Sequence, residues 1–146
     1  MTTFFLDTSA LVKQYRQELG TAQVQTIFDD NINTLFISEL SLVELASAFV
    51  RLGNQNEITE EAMNEALEKF DADTENRFTV IELRGDLIRQ ARTLVVQHKL
   101  RALDALQLTG VLAIKSESPV FVSADERLVR AAEANGLNVL NPVSSA

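Results

Sequence analysis

The sequence lacks several features that would define its class. It has no cysteine among its 146 residues, which excludes disulfides, thiolate zinc sites and a cysteine nucleophile. No apolar run approaches the roughly 18 residues of a membrane span, and no basic start leads into a long apolar segment. We therefore expect one domain over residues 1–146, with a single core, in the cytoplasm and away from membranes.

Positive charge is also scarce. There are 13 Lys and Arg residues against 21 Asp and Glu, and the formal net charge is −8. This balance argues against a broad phosphate-binding surface of the kind that dominates non-specific binding to duplex DNA. Residues 81–101 are an exception, and they form either a patch that holds substrate or an ordinary solvated helix face. The basic residues of this segment are Arg84, Arg89, Arg92, Lys99 and Arg101.

Short apolar segments alternate with stretches of helical periodicity along the whole chain. This alternation predicts an α/β fold with a central parallel sheet. Two of the intervals between strands, the first and the second, are long enough for two helices each. The predicted strands are Phe4–Leu6, Leu35–Ile37, Phe78–Ile81, Val120–Val122 and Val139–Leu140.

Four acidic residues stand in otherwise apolar stretches. Three of them, Asp7, Glu44 and Asp125, come shortly after predicted strands one, two and four. In parallel α/β sheets, ligands bind at the carboxyl ends of the strands. The fourth, Asp104, interrupts the apolar helix LRALDALQLTGVLAI, where its burial is costly unless it is paired or bound to a metal. The sequence pattern does not place Asp104 at the same edge of the sheet.

Asp7 and Glu44 also have structural explanations. Asp7, Thr8 or Ser9 would cap the helix that follows strand one, because all three residue types accept hydrogen bonds from free N–H groups. Ser41 and Glu44 have the spacing of a capping box, in which the glutamate reaches back to a backbone N–H. For each acid taken alone, capping and ligand binding therefore both remain open.

The same alternative applies to the end of strand four. Ser123 and Glu126 have the spacing of a second capping box, which leaves Asp125 in a first helical turn where the dipole favours negative charge. The only histidine, His98, continues an apolar stripe near a helix end, so we interpret it as structural.

Taken together, the four acids predict a metal site. Four carboxylates gathered without a cation would repel one another and hold their protons more tightly. Oxygen ligands without His or Cys indicate Mg²⁺ or Mn²⁺. Two such ions about 4 Å apart activate a water and stabilise the leaving oxygen during in-line attack on phosphorus. The predicted chemistry is therefore phosphodiester hydrolysis without a nucleophilic side chain.

Four segments, in this order and spacing, resemble the PIN domain: LDTSALVK, SLVELASAF, LRALDALQL and VFVSADERLVRAA. The resemblance covers essentially the whole chain and is strongest to the VapC-type toxin ribonucleases of toxin–antitoxin pairs. It implies a three-layer α/β/α fold, RNA cleavage that depends on Mg²⁺ or Mn²⁺, a homodimer and inhibition by a cognate VapB-like antitoxin. The implied site residues are the main metal ligands Asp7, Glu44 and Asp104, the more weakly engaged acid Asp125, and Thr8 or Ser9 as the residue that orients a ligand or water.

Two positions depart from this family pattern. Gln107 stands where relatives often have histidine, and Ser123 opens the fourth motif where threonine is common before the acid. Neither change removes a carboxylate. We also expect Lys13 and Arg16, together with the basic segment 81–101, to help the substrate enter.

Three other functions fit the residues less well than a ribonuclease does. A metal-dependent adhesion site would need a second serine where Ala10 stands. An aspartyl-phosphate mechanism, with Asp7 as nucleophile, lacks the partner acid at Ser9 and a lysine after strand four, because Lys115 precedes that strand. A metal- or RNA-binding PIN-like domain without turnover is disfavoured because all four acids are present.

Overall fold

The predicted strands form one parallel sheet in the computed structural model, which describes residues 1–144. The strand order is β3-β2-β1-β4-β5, and each neighbouring pair is parallel. The parallel α/β architecture predicted from the sequence is thus confirmed. The strands are β1 (Thr3–Leu6), β2 (Thr34–Ser38), β3 (Phe78–Ile81), β4 (Val120–Val122) and β5 (Asn138–Leu140).

Seven α-helices connect these strands within residues 1–144. Two helices join β1 to β2, two join β2 to β3, and two more, with a 3₁₀ turn at Lys115–Glu117, join β3 to β4. None of them combines the length and apolar content needed to cross a bilayer. They are α1 (Thr8–Tyr15), α2 (Thr21–Asp29), α3 (Leu40–Asn54), α4 (Glu60–Asn76), α5 (Gly85–His98), α6 (Ala102–Ala113) and α7 (Glu126–Ala134).

The sheet is covered on both faces, which explains why its strands are apolar throughout. Helices α1 to α4 pack on one face around a core that includes Leu6, Leu45 and Phe70. Helices α5 to α7 pack on the other face, around Phe5 and Leu108. Phe5 and Leu6 are adjacent and fully buried, and they enter opposite cores because side chains alternate along a strand. The three-layer α/β/α fold implied by the family resemblance is confirmed.

The order in which strands are added to the sheet reverses at β1, which is therefore the switch point of the topology. Strands β2 and β3 lie on one side of β1, and β4 and β5 lie on the other. Leu6 pairs with Val122, so Asp7 and Ser123 leave the sheet side by side, and the Asp7 N–H donates to the Val122 carbonyl at 3.1 Å. In parallel sheets such a switch point opens a crevice at the carboxyl edge where ligands bind.

Gly110 in α6 lies against Phe5 at the helix–sheet contact. A Cβ at Gly110 would lie 2.8 Å from Cζ of Phe5, whose ring is fully buried beside Phe121 at a centroid distance of 6.0 Å. Overpacking of this kind costs about 1–3 kcal/mol, whereas Gly→Ala in a helix gains about 1 kcal/mol. We expect Gly110→Ala to lower the free energy of unfolding by up to about 2 kcal/mol net in urea denaturation.

Gly53 in α3 provides the matched control. A Cβ there would meet nothing within 4 Å, so Gly53→Ala should stabilise the protein by about 0.5–1 kcal/mol through helix propensity alone. Phe5→Leu in the Gly110→Ala background should recover part of the loss by returning space to the contact. Equal stability changes for the two glycine variants would contradict the overpacking argument.

Candidate functional site

A cavity of about 620 Å³ lies at the carboxyl edge of the sheet, beside the switch point. Helix α6 begins at this cavity, and Asp104 in its first turn lines it. The sequence pattern alone did not place Asp104 at this edge. The structure therefore brings together the predicted acids and the two hydroxyl residues. The cavity lining includes Asp7, Thr8, Ser9, Glu44, Asp104 and Asp125.

Asp7 is the most buried of these acids, with 4% of its surface exposed. It is the N-cap of α1, as the capping interpretation predicted, and its Oδ1 accepts from the Ala10 N–H at 3.0 Å and the Ser9 hydroxyl at 2.7 Å. Its Oδ2 accepts from the Ser123 hydroxyl at 2.6 Å. Burial raises the pKa of Asp7 to about 6, against the lowering effect of these hydrogen bonds.

The carboxylates also influence one another through their charges. Burial raises the pKa of Asp104, and the negative charges of Asp125 and Glu44 raise it further, while Arg101 and Arg127 oppose the shift. The charge of Asp104 in turn contributes to the raised pKa of Asp7. The cavity thus holds mutually repelling acids, the electrostatic situation that a bound cation would relieve.

Glu44 takes part in a side-chain network between helices. Its Oε1 accepts from the Thr8 hydroxyl at 2.8 Å and from Gln107 Nε2 at 2.8 Å. Ser41 Oγ lies 3.0 Å from both Thr8 Oγ1 and Gln107 Nε2. Residues from α1, α3 and α6 therefore hold the Glu44 carboxylate toward the cavity.

The capping box predicted for Ser41 and Glu44 is wrong. Helix α3 begins at Leu40, one residue before Ser41, and its N-cap residue Glu39 makes no side-chain capping bond. Ser41 is fully buried, and its hydroxyl faces the inter-helix network instead of the free N–H groups of the first turn. Ser41 and Glu44 have the spacing of a capping box, but their side chains bond to Thr8 and Gln107 on other helices.

Sequence reasoning missed the role of Gln107 and treated it only as a departure from the family pattern. Gln107 is 2% exposed. Its Nε2 lies within hydrogen-bond distance of three oxygens: Glu44 Oε1 at 2.8 Å, Ser41 Oγ at 3.0 Å and Thr8 Oγ1 at 3.2 Å. Its Oε1 is buried and has no hydrogen-bond partner among the described residues. An amide on the buried face of an otherwise apolar helix was the available signal.

The second predicted capping box is also wrong. Asp125 itself is the N-cap of α7, and its Oδ1 accepts from the second and third N–H groups after it at 3.0 and 3.3 Å. Ser123 Oγ instead donates to Asp7 and accepts from the Asp125 N–H at 3.1 Å. Glu126 is exposed and pairs with Arg130 at 3.7 Å. Ser123 is fully buried, and its hydroxyl bond to Asp7 joins the residues that follow β4 and β1.

The two cations expected near this edge have different positions. Lys13 lines the cavity, and its Nζ lies 2.8 Å from Glu18 Oε1. Arg16 is not among the lining residues and bridges Glu18 and Glu57, at 3.2 Å from each. Both cations are thus paired with acids, and only Lys13 can reach the cavity.

The basic segment 81–101 does not form one surface. Arg101 lines the acidic cavity, whereas Arg89 and Arg92 line a separate open cavity of about 610 Å³ along α5. His98 lies at the end of α5, outside the acidic cavity, with its Nε2 3.1 Å from Asn135 Nδ2. The role of this segment in holding substrate stays a prediction.

The ligand chemistry of the cavity suits a hard divalent cation, although no ready-made cage is present. Within residues 1–144, no three His, Cys, Asp or Glu side chains are close enough together to hold a metal ion. Mg²⁺ does not require such a cage, because it keeps several waters and is usually held by one or two carboxylates plus substrate phosphate. Carboxylate oxygens that line a shared cavity fit a partly hydrated ion.

The sequence and the fold were compared with known proteins. The model of the PIN domain family matches residues 4–134. No curated protein sequence gives a significant match. Among solved structures, PAE2754 from Pyrobaculum aerophilum has 18% identity and a TM-score of 0.67, with 97% of this chain and 90% of that chain covered.

Two further structures with similar folds come from toxin–antitoxin proteins. Mycobacterium tuberculosis VapC20, described as a toxin that cleaves the sarcin-ricin loop, has 18% identity and a TM-score of 0.66, covering 88% of this chain and 94% of that chain. VapBC2 from Rickettsia felis, bound to a DNA fragment from its promoter, has 18% identity and a TM-score of 0.64. That match covers 96% of this chain and 98% of the other.

Proposed function

The chain belongs to the PIN domain family, and from this premise we propose that it is a metal-dependent endoribonuclease, the toxin of a VapBC-type toxin–antitoxin pair. One observation carries the proposal: four acids that are far apart in the sequence line one cavity at the switch point of the sheet. Groups with strongly perturbed pKa values, here Asp7 and Asp104, cluster at functional sites.

Each part of the site has a distinct proposed role. Asp7, Glu44 and Asp104 would hold Mg²⁺ or Mn²⁺, and Asp125 would assist a second ion or the leaving group. When bound, the metal supplies an activated water and charge neutralisation for in-line hydrolysis of a phosphodiester bond. The acids would thus serve as ligands, and no side chain would act as nucleophile.

The protein's own hydrogen bonds orient these ligands. The hydroxyls of Ser9 and Ser123 hold both oxygens of Asp7, and Thr8 and Gln107 hold Oε1 of Glu44. Residues that hydrogen-bond to a metal ligand fix its orientation, and their mutation typically lowers metal affinity or activity 10–100-fold. These bonds support a defined binding geometry even though the carboxylates do not converge on a single point.

Partners are proposed on the basis of the structural neighbours. VapC20 is described as a toxin that cleaves the sarcin-ricin loop, and VapBC2 is an assembly of toxin with antitoxin. By analogy we propose RNA as substrate and a VapB-like antitoxin as partner, whose arginine-bearing tail would enter the acidic cavity. A homodimer is part of the same proposal, and exposed apolar residues on α3 outside the cavity give it a surface: Leu42 and Val50.

One observation favours a second function, a metal- or RNA-binding domain without turnover. The described residues contain no group of three ligands that is already assembled around a metal position. If the carboxylates do not close on a metal, RNA could bind in the cavity without being cut. Binding and cleavage must therefore be measured separately.

The direct test is to incubate the purified protein with total RNA in Mg²⁺ or Mn²⁺ and to sequence the fragments. We expect discrete cleavage sites that disappear with EDTA and return when excess Mn²⁺ is added. RNA binding without fragments would support the second function. Fragments that persist in EDTA would contradict the metal-dependent mechanism.

Asp104→Asn and Asp86→Asn form a matched pair for this experiment. Both residues lie in the first turn of a helix, α6 and α5 respectively, but only Asp104 lines the cavity. The first substitution should lower cleavage by about 10²-fold or more, and the second should leave it unchanged. Equal cleavage by the two variants would contradict the role of Asp104.

A further inference from the structure

Lys13 is an unusual residue for the wall of an acidic cavity. Only 6% of its surface is exposed, and a lysine is rarely buried unless its charge is compensated. Its ammonium group carries three donors, and among the described residues the only hydrogen bond from Nζ goes to Glu18. Lys13 therefore has spare donors, and both Lys13 and its partner Glu18 line the cavity.

The ion pair with Glu18 does not by itself explain why a lysine is here. Glu18 also accepts from Arg16 at 3.2 Å, and Arg16 in turn bridges to Glu57 at 3.2 Å, so Lys13 is one of two cations shared by two acids. Replacing both partners of a buried ion pair by apolar residues is often neutral or stabilising, so a buried pair is weak evidence for a purely structural role. A functional use of the charge accounts for the burial.

The position of the ammonium is well defined by packing. A Cβ built on Gly20 would lie 3.1 Å from Cδ of Lys13 and 3.1 Å from Cγ1 of Val143, so the lysine stem runs through a tightly filled space. A charged group held in place before the substrate arrives interacts strongly, since it has little rotamer entropy left to lose. The other cations of the lining, Arg51 and Arg101, are exposed.

We propose that Lys13 is a catalytic residue that binds a backbone phosphate of single-stranded RNA inside the acidic cavity, with Glu18 holding its ammonium in place. This inference rests on the proposed ribonuclease function and names the group that attracts the substrate. A fixed positive charge beside the acids offsets their repulsion of the phosphate. Lys13 lies on α1, six residues after Asp7, and both side chains line the same cavity.

The test uses a single-stranded RNA oligonucleotide in EDTA, where the proposed metal-dependent cleavage does not occur, and measures its Kd at several KCl concentrations. Lys13→Met keeps the stem and removes the charge. We expect the Kd to rise about 10-fold and the slope of log Kd against log salt to fall by about 0.7, the value for one phosphate contact on a single strand. Affinity for Mn²⁺, measured by calorimetry without RNA, should be unchanged or higher, because a nearby cation is gone.

Three further variants keep the proposal falsifiable. Lys69→Met changes the net charge equally at an exposed position of α4 outside the lining, and it should leave the Kd and the slope unchanged. Lys13→Arg should retain the slope, because it retains the charge. Glu18→Gln should retain the slope, because Lys13 keeps its charge and the glutamine oxygen can still accept from the ammonium.

The outcomes separate this inference from the function on which it rests. If the wild type binds Mn²⁺ and cleaves RNA, but Lys13→Met has the same Kd and salt slope as Lys69→Met, the role of Lys13 is overturned and the ribonuclease stands. Loss of Mn²⁺ affinity in Lys13→Met would also overturn it, because a structural defect would then explain weaker RNA binding. If the wild type neither binds Mn²⁺ nor cleaves RNA, the proposed function has failed.

Discussion

Asp7→Asn should reduce metal-dependent RNA cleavage on the order of 10³-fold while leaving the fold intact. Asparagine is an N-cap as good as aspartate, and its oxygen can still accept from the Ala10 N–H and the Ser9 hydroxyl. The Ser123 hydroxyl can rotate to accept from the new amide. What disappears is the negative charge at the centre of the switch-point cavity, which we propose holds the metal.

The measurement is the initial rate of cleavage of a labelled RNA at saturating Mg²⁺, with Asp7→Ala as a companion. Alanine removes the charge and also the acceptors of all three hydrogen bonds. Both variants should be inactive, but only Asp7→Ala should also leave buried donors without partners, which costs about 1–3 kcal/mol for each. A rate for Asp7→Asn within a few-fold of the wild type would refute the assignment of Asp7.

Asp7→Asn should also be more stable than the wild type at pH 7 in EDTA, by about 3 kcal/mol. The pKa of Asp7 is raised from 3.8 to about 6 in the folded protein, and each pKa unit corresponds to about 1.4 kcal/mol. Between pH 3.8 and about pH 6, Asp7 therefore binds more protons in the folded state than in the unfolded state. The stability that Asp7 contributes in its protonated form is present below pH 3.8 and is lost as the pH rises through about 6.

Urea denaturation of both proteins between pH 4 and pH 7, in EDTA, tests this difference. The other acids titrate in both proteins, so they largely cancel when the two free energies of unfolding are subtracted. The difference in free energy of unfolding between Asp7→Asn and the wild type should be small near pH 4 and largest at pH 7. Adding Mn²⁺ should reduce this difference, because the ion stabilises only the wild type. A variant less stable than the wild type at pH 7 would mean that the hydrogen bonds to the carboxylate outweigh the cost of burial.

These two predictions describe one trade-off. A carboxylate that is buried beside other acids destabilises the fold when it is ionised, yet the protein provides three donors to hold it there. Groups with strongly perturbed pKa values are common at functional sites, because chemistry requires charge where folding disfavours it. Higher stability together with lost activity would identify Asp7 as such a group.

The helix starts show where local sequence patterns mislead. Ser41 and Glu44, like Ser123 and Glu126, have the spacing of a capping box, but neither pair forms one. In both cases the serine is fully buried, and its hydroxyl bonds to a residue far away in the sequence. Spacing can report only partners within a few residues, so it cannot detect competition from a partner across the core.

By itself, the sequence determined the five parallel strands, the helices between them and the acids that follow β1, β2 and β4. These features follow from hydrophobic periodicity and residue type, which act over a few residues. Only the tertiary structure decided that α6 starts at the same edge and brings Asp104 to the cavity, that Gln107 joins Thr8 to Glu44, and that Lys13 is buried there. Those outcomes depend on the direction in which each helix packs against the sheet, and no local pattern specifies that direction.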